Sequence, residues 1–168
     1  IARHYQQKQG NPSSNRDTVL KQLQLDKDYG YASGQIEMLN GDSLHRMGHK
    51  GEGMLISVQD GGFINVHISI FFDSIRYNNQ IIATKDFVDG DSMVFESSGH
   101  GTQVLSTMAA NIPGIMVGTA PKANYAFLKT EDVQGEYLVE ECNWVSGLEY
   151  SDSLGVDIVN SSLGYTTF

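Results

Sequence analysis

Met54-Leu55-Ile56-Ser57-Val58-Gln59-Asp60-Gly61-Gly62 decides the fold. A short apolar run that stops at an acid and two glycines reads as a buried strand ending in a tight turn. Working outward, Gln80 to Phe87, Asn124 to Lys129 and Val156 to Asn160 read as three further strands. Helical patterns separate them. His100 to Asn111 carries Val104, Leu105, Met108 and Ala109 on one face. Gly135 to Leu154 carries Leu138, Cys142, Val145 and Leu148 at spacings of three and four, an amphipathic helix that would bury Cys142 as an inert thiol. Strands alternating with helices imply an α/β fold with a doubly wound, mostly parallel sheet. In such sheets ligands gather at the carboxyl ends of the strands. Asp60 and the run Ser162-Leu163-Gly164 lie at such ends, and His100 opens a helix that can sit beside them. Upstream, residues 1–17 read as a polar arm, Thr18 to Asp28 as a short helix, Tyr29 to Ser33 as a turn-rich link, and Ser43 to Met47 as a helical turn closed by Gly48.

The chain has 168 residues, enough for one ordinary globular core. A net charge of −9 argues against a nucleic-acid partner. The charge is uneven, because Glu131 to Asp157 holds eight acids and no Lys or Arg. That run is either a solvated face or an acidic rim for cationic substrate segments. With one cysteine, Cys142, there is no internal disulfide and no multi-cysteine zinc site. No apolar stretch is long enough for a membrane-spanning helix. The chain starts at Ile1 without a leader and stops at Phe168 straight after Leu163-Gly164-Tyr165-Thr166-Thr167, so both ends read as cut.

Asp60 and His100 carry the candidate chemistry. An Asp at the end of a buried strand is costly unless something pairs with it. A His between Gly99 and Gly101 can approach with little obstruction. The pair is either the Asp–His half of a nucleophilic triad or a structural hydrogen bond. Spacing alone does not separate these.

The wording around the two residues adds a family resemblance. Gly51-x-Gly53 through Phe63, including Asp60, resembles the strand and turn of the subtilase aspartate. His100-Gly101-Thr102-Gln103-Val104-Leu105-Ser106-Thr107-Met108-Ala109-Ala110 resembles the histidine helix of that family. Gly118 to Ala123 is similar to the turn that follows it, and Val156 to Gly164 to the strand ending in Ser-Leu-Gly beside the substrate cleft. The motifs occur in the family's order across residues 44–164. On that resemblance, residues 1–43 are an N-terminal arm and short helix, and residues 44–168 are the N-terminal part of a subtilisin-like catalytic domain. The resemblance implies a serine endopeptidase in which Asp60 orients His100, and His100 activates a serine. It implies that Val133-Gln134-Gly135 and Ser162-Leu163-Gly164 are extended segments that pair with the substrate backbone. The wording of the histidine helix suggests a bacterial secreted branch, hence a secreted or cell-surface protein. No cofactor is required for the chemistry. Structural calcium is compatible with the family, although Asn111 to Met116 is shorter than the loop many subtilisins use for it. Gly61 stands where a Ser, Thr or Ala is commoner.

The catalytic serine and the oxyanion Asn have no counterpart here. No Gly-Thr-Ser run before an apolar helix and no Gly-x-Ser-x-Gly elbow occurs. The expectation is therefore an incomplete sheet, completed by a noncovalently held second chain, the C-terminal chain of the same protease, bearing the serine. The partners expected are that chain and a peptide or protein substrate, with Lys or Arg favoured near the scissile bond because Glu131 and Asp132 abut Val133. The alternative is an inactive subtilase-like fragment or pseudoprotease that binds partners. No metal is assigned. His45 and His49 have the spacing of helical zinc ligands, but Arg46 replaces the required Glu and Gly48 interrupts the helix. Trp144 and Tyr150 read as packing residues.

Overall fold

The computed structural model describes residues 28–135 and 137–164. The arm at 1–17 and all of the Thr18–Asp28 helix except Asp28 lie outside the described residues, as do Glu136 and residues 165–168. The elements run α1 (Ser33–Met38), α2 (Gly41–Arg46), β1 (Leu55–Asp60), a 3₁₀ turn (Ile70–Phe72), α3 (Asp73–Tyr77), β2 (Ile81–Asp86) and α4 (His100–Ala109). They continue with β3 (Asn111–Ile112), β4 (Met116–Val117), β5 (Asn124–Lys129), α5 (Val139–Leu154) and β6 (Ile158–Ser161). Strands β2-β5-β1-β6 form one parallel sheet, and β3 with β4 a short antiparallel pair. The parallel α/β expectation holds, with strand ends shifted by up to two residues and α5 beginning at Val139 rather than Gly135.

The register aligns the strand ends. Asp60 of β1 and Asp86 of β2 both pair with Lys129 of β5, which lies between them. Three charged residues thus share one row at the carboxyl edge of the sheet.

Neighbouring residues on a strand face opposite ways. Ile56 and Val58 point to the face that also buries Phe63, Val66, Leu105, Ala109, Tyr125 and Phe127, and this is the apolar core. Helix α4 packs there: its Gly101 lies against Asp60 and Gly62. Ser57 and Gln59 face the other way, toward α5. Ser151 Oγ donates to Ser57 Oγ at 2.9 Å, and Gly147 lies against the Gln59 amide.

That second face corrects one expectation. The buried positions of α5 are Glu140, Gly147 and Ser151, not Leu138, Cys142, Val145 and Leu148. Leu138 and Val145 are exposed, and Cys142 is an exposed thiol. The reason is the sheet surface below, which presents a hydroxyl and an amide, so small and polar residues fit against it. Trp144 and Tyr150 do pack: Trp144 Nε1 donates to Ser161 Oγ at 2.9 Å, and Tyr150 meets Phe87 edge-on.

The described part of the N-terminal region packs on the same body. Gly30 bridges to Met116, and Ala32 and Ile36 are buried. Helix α1 falls partly in what reads from sequence as a link, and α3 in a stretch without a clear periodic signal.

Candidate active site

Strand β1 ends at Asp60, and its carboxylate is 1% exposed. Helix α4 begins at His100, whose side chain is 54% exposed. The two meet through His100 Nδ1, which lies 2.8 Å from Asp60 Oδ2 and 3.0 Å from Oδ1. A carboxylate offers lone pairs, so Nδ1 donates and Nε2 is left as the basic nitrogen. The Gly61 N–H also donates to Asp60 Oδ1, at 2.8 Å. Burial raises the Asp60 carboxyl above its ordinary range, and hydrogen bonds from His100, Gly61 and Gly101 oppose that rise.

Two glycines make this approach feasible. A Cβ on Gly101 would lie 2.5 Å from the Gly62 oxygen and 2.9 Å from Asp60 Cβ. A Cβ on Gly61 would lie 2.6 Å from Val133 Cγ1. A larger residue there, as the resemblance leads one to expect, would displace the half-exposed Val133 side chain. The helix start is fixed by Ser98, whose Oγ accepts the His100 N–H at 3.0 Å, and by Thr102, whose Oγ1 donates to the Ile64 carbonyl at 2.7 Å.

His100 opens onto a cavity of about 360 Å³. Val133, Gln134 and Gly135 line one wall, and Ser162, Leu163 and Gly164 another; Glu131, Asp132 and Glu140 complete it. Every substrate-contacting residue named from the sequence thus faces the same space as His100. Asp60 sits beneath, behind the imidazole. The two walls differ in shape. Ser162 to Gly164 continues from β6, and among the described residues nothing lies within 4 Å of where a Cβ on Gly164 would sit. Val133 to Gly135 is a turn rather than an extended segment. Asp132 takes up its amides, with Oδ1 accepting from Gln134 N–H at 3.1 Å and the carbonyl from Gly135 N–H at 3.3 Å. This is the local competition that Asp side chains offer to strand pairing. Nor does Gly135 stand clear for a substrate backbone. Its near neighbour is the phenol of Tyr137, 2.9 Å from where a Cβ would be.

Sequence reasoning missed Glu140. It is 2% exposed, its Oε1 accepts from Asp132 N–H at 2.8 Å and its Oε2 from Tyr137 N–H at 3.2 Å. Glu140 lies in the first turn of α5, whose N-cap is Leu138, so the Tyr137 N–H that it takes lies just outside the helix and no capping-box spacing marks it. The Asp86–Lys129 pair was missed as well. Lys129 Nζ lies 2.9 Å from Asp86 Oδ2 and 2.8 Å from Asp89 Oδ2. The Asp86 contact is close but too bent for a directed hydrogen bond. Asp86 Oδ1 accepts from Val88 N–H at 2.7 Å and Asp89 N–H at 2.9 Å.

Among the described residues, one carboxylate group has the donors for a cation: Asp86, Asp89 and Glu96, with ligand atoms within 4.8 Å of one another. The Lys129 ammonium already contacts two of the three. The hairpin at Asn111–Met116 carries no carboxylate and so fits a calcium ion poorly. His45 binds protein groups, with Nε2 donating to the Thr119 carbonyl at 2.9 Å and Nδ1 3.1 Å from the Tyr29 hydroxyl. Among the described residues no helix is long and apolar enough to cross a membrane.

Comparison with known proteins finds both relatives and structural neighbours. The chain is 28% identical over 131 residues to subtilisin DY of Bacillus licheniformis, covering 77% of this chain and 43% of the relative. It is 31% identical over 138 residues to the major intracellular serine protease of Bacillus subtilis (strain 168), covering 77% and 40%. The chain therefore spans about two-fifths of these relatives. Among solved structures, MycP1 with its N-terminal propeptide removed aligns with a TM-score of 0.55 at 21% identity, over 74% of this chain and 36% of that one. The CspB protease of Clostridium perfringens aligns with a TM-score of 0.57 at 21% identity, over 73% and 31%. Both share the fold. The subtilase family model matches residues 51–167, from the approach to β1 through the cleft strand, and the chain belongs to the subtilase family.

Proposed function

We propose that residues 44–168 supply the Asp–His half of a serine endopeptidase active site and much of its substrate cleft. One observation carries the reading: a buried carboxylate fixes Nδ1 of an imidazole whose ring is half exposed, at the mouth of a cavity walled by Val133 to Gly135 and Ser162 to Gly164. Asp60 holds the tautomer and stabilises the imidazolium. His100 Nε2 takes the proton of a serine hydroxyl, which attacks the peptide carbonyl, and returns it to the leaving amine. Water then releases the acyl group by the same route in reverse. Each step uses protein groups and water, with no cofactor.

The serine comes from outside residues 1–168. Among the described residues no serine hydroxyl is hydrogen-bonded to the His100 ring, and Ser98 Oγ is engaged by a backbone N–H. Strand β6 ends the described sheet, with Ile158 and Val159 exposed, and offers an edge on which that segment can pair. The secreted or cell-surface location expected from the sequence stays part of this proposal, and fractionation of the source cells tests it. The carboxylates of Glu131 and Asp132 on the cavity support a preference for Lys or Arg near the scissile bond. A peptide library without cationic enrichment at any subsite removes that part.

The test of the main reading is fluorophosphonate labelling of the whole protease, with peptide hydrolysis measured alongside. Labelling and hydrolysis that both collapse in His100→Ala are expected. Hydrolysis unchanged in that variant overturns the role, and a native protein that neither labels nor cleaves points to a binding domain instead. The intact mass of the labelled species shows whether the serine sits in a second chain or in a longer single one.

A further inference from the structure

Resting on the endopeptidase reading, we propose that Glu140 is a positioning residue that holds the Glu131–Gly135 turn as a wall of the substrate cavity. The argument starts from the cost of putting it there. A buried carboxylate is unfavourable unless its lone pairs are satisfied. Glu140 meets that cost with two backbone N–H groups, one at each end of the loop: Asp132 at 2.8 Å and Tyr137 at 3.2 Å. Its own N–H donates to the Tyr137 carbonyl at 2.9 Å.

The Tyr137 bonds alone close a turn just ahead of α5, whose N-cap is Leu138, and the first turn of a helix favours an acid. Closing that turn needs no more than that. The bond to Asp132 reaches eight residues upstream, to the root of the turn, and does nothing for the helix. Its effect falls on the cavity. Asp132 in turn takes the Gln134 and Gly135 amides, so the Glu140 carboxylate is the anchor of a chain of bonds that shapes the whole wall. Val133, carried on that wall, covers Gly61 next to Asp60. A carboxylate suits the task because it accepts and never donates. A glutamine would turn an NH₂ toward one of two N–H donors.

The experiment compares Glu140→Gln with the parent in the whole protease. Three readouts are taken: kcat/KM on a peptide spanning several residues before the scissile bond, kcat/KM on an activated ester of a single amino acid, and the rate of fluorophosphonate labelling. A loosened wall is expected to lower peptide kcat/KM about ten- to a hundredfold, the scale of a roughly 1 Å misplacement. Ester hydrolysis and labelling stay within about twofold. Equal loss on peptide and ester overturns the inference, since it means a general structural role, and so does no loss on either. Should the glutamine variant fail to fold, Glu140→Asp keeps the charge but is too short to span both amides, and it is read the same way. A parent protease that shows no His100-dependent hydrolysis defeats the endopeptidase reading itself, which is a separate result.

Discussion

Asp60 and Asp86 are the same residue type at the same place, the last position of a parallel strand, on either side of β5. Both are buried, at 1% and 0% exposure. Their partners set them apart. Asp86 faces Lys129, itself 3% exposed, and the pair is sealed into the sheet edge. Asp60 faces His100, which is half exposed and opens on the cavity. A buried charge with a buried partner that stays charged at neutral pH holds a structure together. A buried charge behind an exposed imidazole holds a group that can trade protons with a substrate. Position in the fold brings an acid to the strand end, and the partner decides what it does.

The strongest way to break that contrast is Asp60→Asn. Loss of the carboxylate leaves His100 in the wrong tautomer, and kcat is expected to fall about 10⁴-fold, by analogy with another triad protease. Stability is expected to move little, or to rise. Burial raises the Asp60 carboxyl, so the folded state holds its proton more tightly than the unfolded chain. Its ionisation therefore subtracts stability as pH rises from the ordinary carboxylate range through the raised value. The asparagine variant lacks that slope, which unfolding of the inhibited protease at a series of pH values will show. A variant that loses stability in step with activity would make Asp60 another Asp86.

Lys129→Met is the mirror test. Removing one partner of a buried ion pair strands the other, at about 3–5 kcal/mol. Adding Asp86→Asn should recover a large part of it, and the double-mutant cycle measures the coupling. Burial alone would lower the Lys129 ammonium, but its close contacts with the Asp86 and Asp89 carboxylates outweigh it and hold the group above its ordinary range. The pair's stabilisation is thus present at neutral pH and lost as pH climbs through that raised value, above the ordinary lysine range. The methionine variant should show a flatter alkaline limb, while the protein that remains folded keeps its turnover.

Gly101→Ala tests the geometry between these extremes. The added Cβ meets Asp60 Cβ and the Gly62 oxygen, so α4 must back away from β1. A shift near 1 Å between His100 and Asp60 is expected to cost about 10²-fold in kcat/KM. Gly53→Ala is a useful contrast: among the described residues a Cβ there would meet nothing within 4 Å, but its φ is +82°, so its alanine strains the backbone without touching the pair.

What the sequence made legible follows from the range of each interaction. The strand ending in Asp60 and the helix beginning at His100 are local patterns with local turn signals, and the parallel sheet follows from their alternation. Gly61 is visible as an oddity, but the side chain it meets, Val133, lies 72 residues away in a loop. The α5 face was misread because an apolar stripe usually marks the buried side, whereas Ser57 and Gln59 make this part of the sheet polar. Glu140 and Lys129 were silent for the same kind of reason. Each is one charged residue among many until the fold delivers Asp132, Tyr137, Asp86 and Asp89 to it. The Val133–Gly135 wall read as extended because nothing in its own spacing shows that Asp132 captures its amides.

The smallest effect comes from an ion pair with the same chemistry as Lys129–Asp86 and none of its burial. Lys122 Nζ and Glu52 Oε1 are 2.8 Å apart, with side chains 53% and 46% exposed. The hydrogen bond from Lys122 lowers the Glu52 carboxyl to about 2. A depressed carboxylate stabilises above the ordinary glutamate range and loses that contribution as pH falls toward the lowered value. Glu52→Gln should therefore flatten the acid limb of stability slightly and leave the alkaline limb alone. Water and salt screen such a pair, so added salt should erase the difference between Glu52→Gln and the parent, while Lys129→Met stays destabilised at any ionic strength. A salt-insensitive loss at Glu52 would mean that the charge pair, rather than its burial, sets the scale. That would undo the distinction drawn between the sealed and the open aspartate.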